Sequence, residues 1–145
     1  MKTILVAAAL TLVTSAAMAA GDIEAGEAQF KKCAACHAVG EGAKNRVGPV
    51  LNDVFGRVAG TYPDYKYSNA MIEAGAGGIV WTGETLSIYL KKPKDFVPGT
   101  KMTFAGFANQ VDIDNLLAYL VTLSPNYVPV APDDGTSELS SAPAP

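Results

Sequence analysis

Apolar residues are distributed along the chain in three distinct ways. From Ile4 to Ala20 they form an almost unbroken run, interrupted only by Thr11, Thr14 and Ser15. Lys2 precedes this run and Ala17-Met18-Ala19 closes it, the pattern of a secretory leader cut after Ala19. At 17 residues the run sits at the short limit for crossing a bilayer, so the alternative is a retained N-terminal anchor. Helical spacing follows in three places. Asp22 caps a helix predicted through Lys32, with Ile23 and Phe30 on its apolar side and Gly26 where another backbone can approach. In "TGETLSIYLKKP", Leu86, Tyr89 and Leu90 recur at i, i+3 and i+4, and Pro93 ends that helix. The clearest pattern is "NQVDIDNLLAYLVTLSP": Asn109 as cap with Asp112 three residues on, then Ile113, Leu116, Leu117, Leu120 and Val121 on one face, and Pro125 as stop. Between 38 and 67 there is no sustained period, only the turn signals "GEGAKNRVGP", "GRVAG" and "TYPD". An irregular stretch this long in a compact domain needs something to wrap around.

From Ser124 the composition changes. Five of the last 22 residues are proline and the only charges are Asp133, Asp134 and Glu138, which predicts an acidic disordered tail over 124–145. The expected organisation is therefore a leader over 1–19, one small domain over 20–123 and the tail. Without the leader the chain carries 10 basic against 14 acidic side chains, and this excess of acid argues against nucleic acid as a partner. The bases are uneven: Lys31, Lys32, Lys44 and Arg46 flank the cysteines, while Lys91, Lys92, Lys94 and Lys101 fall close together.

Both cysteines and the single histidine lie in "KKCAACHAVG". Three chemistries compete for Cys33, Cys36 and His37. A structural zinc site needs four protein ligands, and these three exhaust the thiols and imidazoles. A thiol–disulfide oxidoreductase uses C-x-x-C after a strand in a βαβ pattern, and no strand is evident before Cys33. The third is C-x-x-C-H as a covalent haem c attachment site. Two thiols one helical turn apart reach the two vinyl groups on one porphyrin edge, and the next residue projects its imidazole onto the iron. Export fits this chemistry, and haem supplies the body that the loop-rich middle lacks. If His37 takes one axial position, the other is open or filled by a second side chain. No histidine remains; Met1 and Met18 leave with the leader, so Met71 and Met102 are the candidates. Met102 lies in the loop "PGTKMTF", free of any helix face.

The residues from Gly21 to about Ser124 resemble a class I cytochrome c, of the soluble mitochondrial and bacterial cytochrome c2 type. The likeness rests on "GDIEAGEAQFKKCAACH", "VGPVLNDVFGR", "YKYSNA", Trp81, "LSIYLKKPKDFVPGTKMTF" and "LLAYL" in that order. It implies an all-α fold in which the N- and C-terminal helices cross and short helices and long loops wrap one haem. It further implies that Cys33 and Cys36 hold the haem, that His37 and Met102 ligate iron, and that the Pro49 carbonyl accepts the His37 ring N–H. Arg57, Tyr67, Trp81 and Thr100 match positions that hydrogen-bond the haem propionates; Tyr89 and Phe104 match residues near the methionine sulfur and the exposed haem edge. Gly26 and Phe30 match a helix contact with Leu116 and Tyr119. Two departures stand out: Met71 occupies a position where mitochondrial members usually carry asparagine, and "EAGAGG" is lengthened relative to them.

The expected activity is electron transport without enzymatic turnover: a periplasmic monomer, peripheral to the membrane, cycling between ferrous and ferric iron. Lys31, Lys32, Lys91, Lys92, Lys94 and Lys101 would rim the haem edge and steer docking onto acidic partners. The resemblance implies a cytochrome bc1 complex as donor and a terminal oxidase or photosynthetic reaction centre as acceptor. The alternatives are a small haem c peroxidase or gas-binding protein with labile methionine ligation, and a membrane-tethered cytochrome module.

Overall fold

The computed structural model describes residues 21–128; the predicted leader over 1–19 and all but the first residues of the predicted tail lie outside them. Five helices follow in order: α1 (Ile23–Phe30), α2 (Asn69–Ala76), α3 (Gly83–Lys91), α4 (Pro93–Phe96) and α5 (Gln110–Thr122). Among the described residues there is no named strand, only an antiparallel bridge between Val58 and Val80. None of the described helices is long and apolar enough to cross a membrane.

The expected crossing of the end helices is present. Asp22 caps α1 by accepting from the Ala25 N–H, and its own N–H donates to Asn115 Oδ1 at 2.8 Å, tying the start of α1 to α5. At Gly26 a β-carbon would lie 1.9 Å from the Asn115 carbonyl oxygen and 2.8 Å from Tyr119 Cβ, so only glycine permits this approach. One turn on, the Phe30 and Tyr119 rings meet with centroids 5.7 Å apart. Of the predicted α5 face, Ile113, Leu116 and Leu120 are buried, Leu117 is partly covered, and Val121 is exposed. Ile23, assigned above to the apolar side of α1, is also exposed, because the helix presents Gly26 and Phe30 to α5 and turns its first residue outward.

Several local expectations are corrected. Helix α1 ends at Phe30 rather than Lys32, and the chain continues as tight turns to Cys36. Pro93 both closes α3 and opens α4: its missing N–H costs nothing at a helix start, so the segment re-forms with Pro93 in its first turn. Asn109 precedes α5 but makes no side-chain cap bond. Helix α2 has no counterpart in the apolar periodicity. Ser68 caps it by accepting from the Met71 N–H, and it buries only Met71 and Gly75. A helix that contributes one large buried residue has too little pattern to be read from sequence.

The packed body also runs past 123. Ser124 is 2% exposed, and the Tyr127 ring lies 4.9 Å from that of Phe55, so these first residues of the predicted tail belong to the core. The intervening loops are held by side chains standing in for a backbone ladder. Asn52 donates to and accepts from Gly40 at 2.8 Å in each direction; Asn45 accepts from Val50 N–H and donates to the Pro63 carbonyl.

Gly26→Ala is expected to lower the unfolding free energy by about 1–3 kcal/mol, the usual cost of overpacking against a backbone that cannot yield. Denaturant titration measures this. Gly83→Ala, whose β-carbon meets nothing within 4 Å, should stay within about 0.5 kcal/mol of the parent.

Candidate functional site

The cysteine segment is one helical turn in its hydrogen bonding. The Cys33 carbonyl accepts from both Cys36 N–H (3.0 Å) and His37 N–H (2.9 Å), so the thiols stand one turn apart and the imidazole follows directly. The next loop is fastened to this turn: Gly48 N–H donates to the Cys36 carbonyl at 2.8 Å, and Arg46 Nη1 donates to the Ala34 carbonyl at 2.9 Å. That fastening lays Gly48 on the imidazole. A β-carbon there would sit 2.4 Å from His37 Cε1, so the ring occupies a cradle that any other residue would fill.

His37 Nδ1 is 2.7 Å from the Pro49 carbonyl oxygen. A carbonyl only accepts, so Nδ1 carries the proton and Nε2 keeps its lone pair. Burial holds the imidazole below its usual pKa despite the Pro49 bond, with the Arg57 charge acting in the same direction as burial. The ring is thus a neutral donor of fixed tautomer, as an iron ligand requires. Burial pushes the Cys33 thiol up to about 11, offset only partly by Lys32. A redox-active dithiol needs the opposite shift, so this environment disfavours thiol–disulfide chemistry. Among the described residues no group of three His, Cys, Asp or Glu is placed to hold a metal ion, which leaves structural zinc without a ligand set.

Cys33, Cys36 and His37 open on a cavity of about 220 Å³. Pro49, Arg57, Tyr67, Trp81, Tyr89, Thr100 and Met102 line it too, so all ten residues singled out from the sequence converge on one space although they span 70 positions. Helix α3 contributes Leu86, Tyr89 and Leu90, and α5 contributes Leu116 and Leu120 as apolar wall. The sequence-based site omitted Leu51, Val54, Gly48 and Tyr65, which also line the cavity; the run "VGP" and the Tyr65–Tyr67 pair were the available signals. Met71 and Phe104 reach the same wall.

Polar groups punctuate this apolar lining. Tyr89 Oη and Thr100 Oγ1 are 3.0 Å apart, and Thr100 Oγ1 accepts from the Met102 N–H at 3.3 Å, so the tyrosine steadies the loop that carries the thioether. Burial raises the Tyr89 pKa, with the Thr100 bond opposing it, and the phenol stays protonated at neutral pH. Trp81 is 7% exposed and packs on Tyr89 with centroids 5.0 Å apart. Arg57 is held by two bonds of 3.3 Å to the Val50 carbonyl and stacks 4.7 Å over the Tyr62 ring. Burial lowers its pKa, yet guanidinium remains charged. Two thiols, a neutral imidazole and a thioether in apolar surroundings, with a cation and hydroxyls at the wall, are the donor set that a covalently attached haem with two acidic side groups requires.

Of the rim lysines, Lys32 and Lys101 line the cavity, and Lys32 Nζ also lies 4.8 Å over the Phe107 ring. Lys31, Lys91, Lys92 and Lys94 are exposed, and Lys92 pairs with Asp95 at 3.5 Å.

Residues 23–124 match the family model described as Cytochrome c. A cytochrome c2 of Agrobacterium tumefaciens (strain II Chrys) is 56% identical over 101 residues, covering 70% of this chain and 91% of that relative. Cytochrome c-550 of Ancylobacter novellus is 53% identical over 95 residues, covering 66% and 89%. The solved structure of cytochrome c2 from Rhodospirillum centenum superposes with a TM-score of 0.70 at 40% identity, covering 72% of this chain and all of that one.

Gly48→Ala is expected to push the His37 ring off its cradle and break its bond to Pro49. Haem should remain attached through the cysteines, while the absorption spectrum moves from a low-spin toward a high-spin form. An unchanged spectrum would show that the cradle does not set the ring position.

Proposed function

Because the chain belongs to the cytochrome c family, with one haem c held covalently through Cys33 and Cys36, we propose that it is a periplasmic one-electron carrier between membrane redox complexes. The observation that carries this reading is that the sole imidazole and the Met102 thioether line the same cavity as both thiols. When bound, the haem supplies an Fe(II)/Fe(III) couple that makes no bond to a substrate. His37 would hold the iron through Nε2, its ring oriented by Pro49, and Met102 would hold it through its sulfur, on a loop steadied by Thr100 and Tyr89. Arg57, Tyr67, Trp81 and Thr100 are assigned to the haem carboxylates, because a partly buried carboxylate without such donors is costly. The apolar wall from α3 and α5 excludes water, and buried Met71 extends it where asparagine would add polarity. With His37 and Met102 both holding the iron, the site would serve electron transfer rather than turnover.

The exposed lysines near the cavity are the docking surface in this reading, and Lys32 and Lys101, which line it, carry most of the steering. Donor and acceptor are assigned as a bc1-type complex and a terminal oxidase or reaction centre. Rates measured with each purified complex test the assignment: transfer with none of them would overturn it.

Met102→Ala should keep its covalent haem but open the sixth position, so that the reduced variant binds carbon monoxide readily and has a lower potential. Carbon monoxide binding of equal ease by the parent would favour the gas-binding or peroxidase reading. Lys32→Glu with Lys101→Glu should slow association with an acidic redox partner by about tenfold or more at low salt and far less at high salt. Stopped-flow rates across ionic strength check this, and a salt-independent parent rate would remove the steering role.

A further inference from the structure

Residues 53–57 hold a backbone conformation that they would not choose alone. Asp53 has φ 51° and Gly56 has φ 79°, and the first of these is unfavourable for a residue with a β-carbon. The loop is also two-faced: Val54 and Arg57 line the cavity, while Phe55 points to the far end of α5. Its shape must therefore be imposed from outside.

One side of the imposition is the short antiparallel pairing with residues 79–81. Gly56 N–H donates to the Trp81 carbonyl at 2.8 Å, and Trp81 N–H donates to the Arg57 carbonyl at 2.9 Å. The other side is the segment just past α5. Asp53 N–H donates to the Leu123 carbonyl at 2.9 Å, and Phe55 N–H to Ser124 Oγ at 3.4 Å. Ser124 is itself anchored, its hydroxyl contacting the Leu120 carbonyl at 3.4 Å. Ser124-Pro125-Asn126-Tyr127 then forms a turn closed by Tyr127 N–H to the Ser124 carbonyl at 3.0 Å, with proline at the second position, where its fixed φ suits the bend. This turn brings the Tyr127 ring back onto Phe55, 4.9 Å between centroids, and over Gly56, where a β-carbon would stand 3.6 Å from Tyr127 Cδ2.

We propose that Ser124–Tyr127 is a clamp that positions Arg57 at the haem by holding the 53–57 loop between α5 and Trp81, making Tyr127 a positioning residue for the reduction potential. The inference rests on the reading that Arg57 faces the haem carboxylates. A fixed guanidinium near the iron favours the reduced form, which carries one positive charge fewer. Releasing the clamp frees the backbone on which Arg57 sits and loosens its long bonds to the Val50 carbonyl, so the guanidinium moves toward water, where its field is screened, and the oxidised form gains.

The test uses full-length, haem-loaded protein, with the ratio of reduced to oxidised haem read at the parent's midpoint potential and stability read by denaturant unfolding. Tyr127→Ala is expected to lower that ratio at least threefold, and Tyr127→Phe to restore it, because the ring makes the contact. Arg57→Leu should lower the ratio by itself, and adding Tyr127→Ala to it should change little more. If Arg57→Leu leaves the ratio unchanged, the reading of Arg57 fails. If Arg57→Leu shifts it while Tyr127→Ala only lowers stability, the clamp proposal is overturned. A full Tyr127→Ala shift persisting in the Arg57→Leu background overturns the route through Arg57. Should Tyr127→Ala not take up haem, Ser124→Ala carries the same test with a smaller shift in the same direction, and no shift there refutes the clamp.

Discussion

Where Gly26 meets Asn115, two backbones come closer than any pair of side-chain-bearing residues allows, and the remainder of the domain is built outward from that contact. The close crossing sets α1 against α5, and the turn that bears Cys33, Cys36 and His37 follows α1 without a break. The same α5 supplies Leu116 and Leu120 to the cavity wall. One helix pair thus fixes both the point of covalent attachment and the apolar surface facing it. A protein of this size has little core to spare, and Phe30, Ile113, Leu116 and Leu120 are buried at the crossing, Ile113 and Leu116 completely.

The rest of the wall is irregular backbone, and irregular backbone must find partners for its N–H and C=O groups. Here the partners are local amides and hydroxyls. Asn45 and Asn52 close the loops between 40 and 63; Thr82 and Thr85 form a reciprocal cap at the start of α3, and Thr85 also donates to the Val80 carbonyl. Such bonds specify a shape without burying much area, so the loops depend on the body they enclose. The family's haem occupies the place that a larger protein would fill with side chains.

The electrostatics of the site follow from burial more than from charge pairing. The imidazole is kept neutral and the phenol protonated, both by desolvation, which leaves Arg57 as the charged group of the inner wall and the lysines as charges of the rim. If His37 and Met102 are the ligands, as proposed, a neutral set around a charge-changing centre would confine the electrostatic response of electron transfer to few groups. On that reading the placement of Arg57 is consequential, and its loop is tied to the remote segment Ser124–Tyr127 through Phe55.

The motif Cys33-Ala-Ala-Cys36-His37 carried the attachment chemistry in its spacing, because one helical turn is a local property, while the lack of any other thiol or imidazole and of a preceding strand weighed against zinc and dithiol chemistry. The faces of α3 and α5 and the glycine at the crossing were legible for the same reason: period and residue size are written along the chain. Helix α2 was not, since Met71 and Gly75 are too few buried residues to make a period, and neither was the end of the domain, since Ser124 and Tyr127 sit in a proline-rich stretch whose composition resembles the tail. Resemblance named Pro49, Arg57, Tyr67, Trp81 and Thr100, but no local pattern could bring them to one wall. Only tertiary structure decided that His37 lies in the cradle of Gly48, that the Asp53–Arg57 loop is held by the far end of α5, and that Lys32 and Lys101 border the cavity. Those outcomes depend on contacts between residues distant in sequence, and hydrophobic periodicity carries information about which face is buried, not about what it is buried against.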